Sequence, residues 1–178
     1  MKVSKKILYP ALSLFLITLV SVILLALINA FTKDKIKDAN RSNEDKQRIA
    51  VFPDAESFRE KENYTECLDG DKNIIGYIFV TKGAGYSGDI TVMTGIDKDG
   101  VISGVKVLEH TETPTFGGVA VENNFTDEYK GKEAQTFVKG QNIDGWTGAT
   151  KTTNGVIEAV NLAVGSFETV AKGGADNG

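Results

Sequence analysis

Asp144-Gly145-Trp146-Thr147-Gly148-Ala149-Thr150-Lys151-Thr152 gathers hydroxyls, glycines and a lysine directly ahead of an apolar pattern at steps of three and four. That combination suits a phosphate. The first amides of a helix have no carbonyl partner within it, and the positive end of its dipole lies there. Gly145, Gly148 and Ala149 would let a ligand approach the backbone closely, and Lys151 adds charge. A second reading stays open, in which the segment is an ordinary helix start capped by Thr152 or Thr153.

A second group, His110-Thr111-Glu112-Thr113-Pro114-Thr115-Phe116-Gly117-Gly118, mixes ionisable, hydroxyl and turn residues. His110 and Glu112 suit an acid–base pair, or else a capped loop whose polar groups satisfy one another. The third group, Gly83-Ala84-Gly85-Tyr86-Ser87-Gly88, matches G-x-G-x-x-G. A dinucleotide site would need a helix opening on this loop. The following Ile90–Thr94 reads as a strand, so the glycines read as a strand connection, with Tyr86 free to line a pocket. Asp97-Lys98-Asp99-Gly100 lacks the later ligands of a calcium loop and reads as a turn. Cys67 is the single cysteine and His110 the single histidine. An internal disulfide, a cysteine zinc site and a cysteine-held iron–sulfur cluster are therefore excluded. No metal site and no catalytic triad is expected.

The elements that must position these groups are read from periodicity. NIIGYIFVTK (73–82), DITVMTGID (89–97) and VISGVKVLEH (101–110) are rich in β-branched residues and read as strands. Asp99-Gly100 is a strong hairpin signal between the last two, and Asp69-Gly70 marks a turn before the first. FTDEY reads as a short helix and AQTFVK as a short strand. Val156, Ile157, Val160, Ala163, Val164 and Phe167 form a helical stripe, giving a helix from about Thr153 to Lys172, stopped by Gly173-Gly174. Strands in a meander with flanking helices predict an α+β fold with a mostly antiparallel sheet.

The amino-terminal part differs. Residues 7–32 carry no charge, and Lys2, Lys5 and Lys6 precede them. As a helix rising about 1.5 Å per residue, this run exceeds the roughly 30 Å bilayer core. It is too long for a signal peptide's apolar region, and it reads as a retained single-span anchor. The flanking basic residues do not settle its orientation. The charged stretch 33–50 reads as a helical stalk or a solvated linker, ended by Pro53, with PDAESF as a short helix. The expected organisation is a basic segment (1–6), a transmembrane helix (7–32), a stalk (33–60) and one domain (61–178). The chain has 20 basic and 24 acidic residues, a net charge of −4. An acidic domain repels phosphate backbones, so a nucleic-acid partner is not expected.

Two of these clusters, in this order behind such an anchor, resemble a known family. The chain looks like the G subunits of the Rnf electron transport complex, and is similar to the C subunits of the sodium-translocating NADH:quinone reductase. DGWTGAT (144–150) matches the family's Asp-x-x-Ser/Thr-Gly-Ala-Thr. HTETPTFG keeps His110, Glu112, Thr113, Pro114 and Gly117 of the family's His-x-Glu-Thr-Pro-Gly-Leu-Gly, with Thr115 and Phe116 in place of glycine and leucine. The resemblance implies one FMN joined through its phosphate to Thr150. Asp144, Gly145, Thr147, Gly148, Ala149 and Thr152 would surround the phosphate and ribityl chain. His110, Glu112 and Thr113 would approach the isoalloxazine, and Trp146 could stack on it. It further implies a separate flavin transferase using FAD and a metal ion, and a domain outside the cytoplasm on a single-pass plasma-membrane anchor. The partners would be the other subunits of an ion-translocating ferredoxin:NAD oxidoreductase, with no independent catalysis by this chain. The alternatives are a quinone-reductase-type subunit, a free-standing extracytoplasmic flavoprotein, or a non-redox anchored binding domain.

Overall fold

The computed structural model describes the backbone of residues 5–112 and 125–175, with side chains over this range except 5–8, 10, 28–42 and 172–175. The chain divides into two compact units, Met1–Asp45 and Lys46–Gly178. Helix α1 runs over Lys5–Val51, so the charged stretch 33–50 is helical. The expected span, residues 7–32, lies within α1, where Leu14, Phe15, Val22 and Leu25 are exposed. Among the described residues no helix is long and apolar enough to cross a membrane.

The second unit is built on a five-stranded antiparallel sheet in the order β1-β2-β3-β4-β5. The strands are Ser57–Glu60, Thr65–Leu68, Ile74–Ala84, Asp89–Asp97 and Ile102–Glu109. The α+β class and the meander are as expected. β1 and β2 were not expected, and β1 replaces the short helix predicted at PDAESF. Proline has no N–H to continue a helix. The chain leaves α1 at the Phe52 N–H to Arg48 carbonyl bond and turns through Pro53, and Phe58 then pairs with Cys67. AQTFVK does not form a strand either. The Phe137 amide and carbonyl are instead satisfied by the Asn161 side chain, at 2.8 and 3.0 Å.

The last helix, α2, spans Thr150–Ala175, and FTDEY forms a 3₁₀ turn at Phe125–Tyr129. The apolar stripe of α2 covers one sheet face. Phe79, Ile90, Val92 and Ile96 meet Val156, Val160, Ala163 and Phe167, with Tyr129, Phe137 and Ile143 completing the core. On the other face Val51, Phe52, Cys67, Ile78 and Met93 form a second cluster. Both faces of β4 are therefore covered, which is why Ile90 to Ile96 are all buried. The Cys67 thiol sits in this second cluster, fully buried, and burial raises its pKa to about 12 against the opposing pull of Arg48.

At Gly83 and Gly155, β3 and the start of α2 meet backbone to backbone. A Cβ on Gly83 would overlap the Gly155 carbonyl oxygen. Thr81 Oγ1 donates to the Ala159 carbonyl at 2.8 Å, and the Ala84 amide donates to Glu158 Oε2 at 2.9 Å. These contacts fix the mouth of α2 against the β3–β4 connection.

Candidate functional site

Helix α2 begins three residues earlier than its apolar stripe suggests. Gly148 has φ 89°, in the left-handed region that favours glycine, and the Ala149 amide bonds the Trp146 carbonyl at 3.2 Å. The first helical bond runs from the Thr153 amide to the Ala149 carbonyl at 2.9 Å. Thr152 and Thr153 are thus inside the first turn and buried, rather than at the cap. The Thr153 hydroxyl accepts from the Trp146 amide at 3.2 Å, tying the loop back onto the helix it opens. Thr150 is the first helical residue and is exposed.

Glu112 connects the three sequence clusters. It is 6% exposed. Its Oε1 accepts from the amides of Tyr86 and Ser87, at 2.8 and 3.0 Å, and its Oε2 accepts from the Thr152 hydroxyl at 2.5 Å. Burial alone would raise the Glu112 pKa. The bonds from Thr152, Ser87 and Tyr86, together with the charge of His110, outweigh it and hold the carboxyl below its ordinary value. Both oxygens of Glu112 are thus engaged by the protein itself. His110 is half-buried, and its Nδ1 is buried without a hydrogen-bond partner among the described residues. Thr113 lies outside the described residues.

Around Thr150, the Lys139 ammonium donates to Oγ1 at 3.3 Å. The Lys151 ammonium instead lies 5.5 Å from the centre of the exposed Tyr86 ring. Gly145 lies under the Lys139 stem, the Asp144 amide donates to Glu128 Oε1 at 3.0 Å, Ala149 is buried, and Thr147 and Gly148 are exposed. An open groove of about 550 Å³ begins at Lys139 and runs between Phe137, Val138 and the α2 residues Asn154, Ile157 and Leu162. Lys139 was missed in the sequence because its segment read as a strand. The Lys139-Gly140 pair, a cation beside a turn residue, was the available signal.

The residues present fit a phosphoryl group. Thr150 offers an exposed hydroxyl at a helix start, where first-turn amides lack intrahelical acceptors, with an ammonium 3.3 Å away. No general base is aimed at Thr150 among the described contacts; the arrangement presents a hydroxyl and balances negative charge.

The model of the FMN-binding domain matches residues 85–165, which take in the Glu112-linked loop and Thr150. The model of the RnfG N-terminal region matches residues 1–49. The G subunit of a sodium-translocating ferredoxin:NAD oxidoreductase complex from Acetobacterium woodii is 30% identical over 188 residues, covering 89% of this chain and 90% of that relative. Its proton-translocating counterpart from Clostridium ljungdahlii is 31% identical, covering 72% and 74%. Among solved structures, NqrC of Shewanella oneidensis aligns with a TM-score of 0.51 at 19% identity, over 69% of this chain and 74% of that one, a likeness of fold. The C subunit of a sodium-translocating NADH-quinone reductase from Parabacteroides distasonis aligns with a TM-score of 0.50 at 25% identity, over 61% and 62%. With family matches at both ends and relatives of about its own length, the chain belongs to the family of Rnf complex G subunits.

Proposed function

We propose that this protein is an electron-transfer subunit of an Rnf-type ion-translocating oxidoreductase complex, carrying one FMN in phosphoester linkage to Thr150. The observation that carries the reading is the exposed Thr150 hydroxyl at the first residue of α2, inside Asp-x-x-Thr-Gly-Ala-Thr, with the Lys139 ammonium 3.3 Å away. When bound, FMN supplies one- and two-electron redox chemistry. The chain's own work is to hold and orient it. Thr150 provides the attachment oxygen. The first-turn amides and the dipole of α2 stabilise the remaining phosphoryl charge. Gly145, Thr147, Gly148 and Ala149 shape the loop around it, and Asp144 positions that loop through its amide bond to Glu128. Thr152 and Glu112 hold the Tyr86-Ser87 loop beside the attachment point. The family motif assigns His110 to the flavin side of the site, and Thr113, which lies outside the described residues, with it.

The remaining parts of the reading concern placement. Residues 7–32 anchor the chain in the plasma membrane, supported by an uncharged run on a continuous helix with exposed apolar side chains. The flavin domain lies outside the cytoplasm and works beside other subunits of the complex, and a separate flavin transferase attaches the cofactor. The relatives couple to different ions, sodium in one and protons in the other, so the family leaves the coupling ion open.

The test is a mass measurement. Full-length protein co-produced with a flavin transferase should gain one FMN phosphoryl unit and remain fluorescent after denaturation. Thr150→Val should show neither, a complete loss. A flavin retained covalently by Thr150→Val would overturn the attachment.

A further inference from the structure

We propose that Lys139, and not the sequence-adjacent Lys151, is the cation that holds the phosphoryl group at Thr150. This rests on the Thr150 attachment above and names the residue that positions its charge. Three observations carry it.

The first is direction. Lys151 follows Thr150 in the chain, but successive helical residues point to different faces. Its ammonium rests over Tyr86 at 5.5 Å, a favourable place for a cation. Lys139 is remote in sequence, yet its ammonium reaches the Thr150 Oγ1 at 3.3 Å.

The second is the path of the side chain. The Lys139 stem crosses Gly145, where an added Cβ would lie 2.5 Å from Lys139 Cε and 3.1 Å from Cδ. The missing side chain at Gly145 is what leaves this route open. Gly145 therefore acts on the site through Lys139 rather than only by admitting a ligand to the backbone.

The third is the platform. Lys139 sits on a tight turn in which the Gly140 amide bonds the Ile143 carbonyl at 2.8 Å, with Gly140 at φ 77°. The Asn142 side chain locks the turn, accepting from the Val138 amide at 2.8 Å and donating to the Thr136 carbonyl at 2.9 Å. Such a turn aims the lysine and lowers the entropy cost of ordering it. Among the described residues no carboxylate pairs with the Lys139 ammonium, and its charge is turned toward Thr150.

In the attachment step the Thr150 oxygen forms a bond to the FMN phosphorus of FAD, the pyrophosphate bond breaks, the electron pair leaves with AMP, and the hydroxyl proton passes to water. Lys139 faces the phosphoryl oxygens before, during and after that exchange, and its charge-assisted bond strengthens as negative charge gathers there.

The experiment uses the full chain co-produced with a flavin transferase, followed by intact mass over time and by ³¹P NMR of the loaded protein. Lys139→Met should slow loading by about tenfold, the worth of one charge-assisted bond, and shift the diester phosphorus resonance. Lys139→Arg should load within about threefold of the parent, since it keeps the charge. Lys106→Met, the same charge loss at an exposed position on β5, should change neither reading. Gly145→Ala keeps the lysine but crowds its path, and also meets Thr153 Cγ2 at 2.9 Å, so it should slow loading with a modest fall in melting temperature. It also serves if Lys139→Met fails to fold. A parent protein that loads, alongside Lys139→Met or Gly145→Ala that load equally fast with the parent's phosphorus resonance, overturns the role of Lys139 and leaves the attachment standing. A parent protein bare at Thr150 overturns both.

Discussion

Two connections of the same meander use the same chemical device at very different range. In the β4–β5 hairpin, Asp97 Oδ1 accepts from the amides of Asp99 and Val101, at 2.9 and 2.8 Å. In the β3–β4 connection, Glu112 Oε1 accepts from the amides of Tyr86 and Ser87, at 2.8 and 3.0 Å. Each carboxylate oxygen closes a loop by taking two backbone donors. Asp97 belongs to the turn it closes. Glu112 comes from beyond β5 and also holds Thr152 of α2. The first loop is thus closed by its own carboxylate, and its links to the rest of the domain, from the Lys98 amide to the Ile75 carbonyl and from the Ala134 amide to the Gly100 carbonyl, are backbone bonds. The second has its own Gly85 amide to Gly88 carbonyl bond at 2.9 Å, but its Tyr86 and Ser87 amides are satisfied by a carboxylate from beyond β5, and it carries Tyr86 to the mouth of α2. The difference shows how a fold makes one of two similar loops responsive to its site.

Substitutions separate the two arrangements. The largest effect on stability is expected from Gly83→Ala, which forces a methyl group into the Gly155 carbonyl where β3 and α2 touch. A loss of about 3 kcal/mol in urea unfolding is expected, as for overpacking a tight seam. A loss below about 0.5 kcal/mol would mean that the seam gives way easily, and that the remote loop does not depend on it.

Glu112→Ala comes next, at about 2 kcal/mol, because it strips acceptors from two amides and a buried hydroxyl. Its pH dependence has a definite sign. The folded Glu112 carboxyl is held below its ordinary value, so the unfolded chain binds the proton more readily. Its contribution is complete above the unfolded pKa of about 4.3 and is lost as the pH falls through the folded value. Glu112→Gln should flatten that acid limb of a stability-against-pH curve. An unchanged limb would place the titration elsewhere.

The smallest effect is expected from Asp97→Ala. It should cost about 1 kcal/mol, from bonds that water can replace at a surface turn, and leave flavin loading untouched. An effect of Asp97→Ala as large as that of Glu112→Ala would erase the distinction between the two loops.

The same distinction explains what could be read from the residues alone. Asp99-Gly100 declared its hairpin because the turn's requirements are local, with Gly100 at φ 82°. β3, β4, β5 and the stripe of α2 were legible from their periods. β1 and β2 were not, since four-residue strands give little pattern and Pro53 suggested a helix start. AQTFVK carried a strand-like composition, but the Asn161 side chain supplies the partners a neighbouring strand would have provided. In the site, Thr150 and its loop stood out by type and spacing. The link from Glu112 to the Tyr86 loop and the reach of Lys139 over Gly145 are long-range facts of packing, and no local pattern announces them.

Cys67 carries a practical consequence. A thiol with a pKa of about 12 is almost wholly protonated near neutrality, and the thiolate is the reactive form. Set between the sheet and the end of α1, it should stay silent towards maleimide or Ellman's reagent until the protein opens. The rate at which it is labelled thus reports how often the core breathes, with no engineered probe needed.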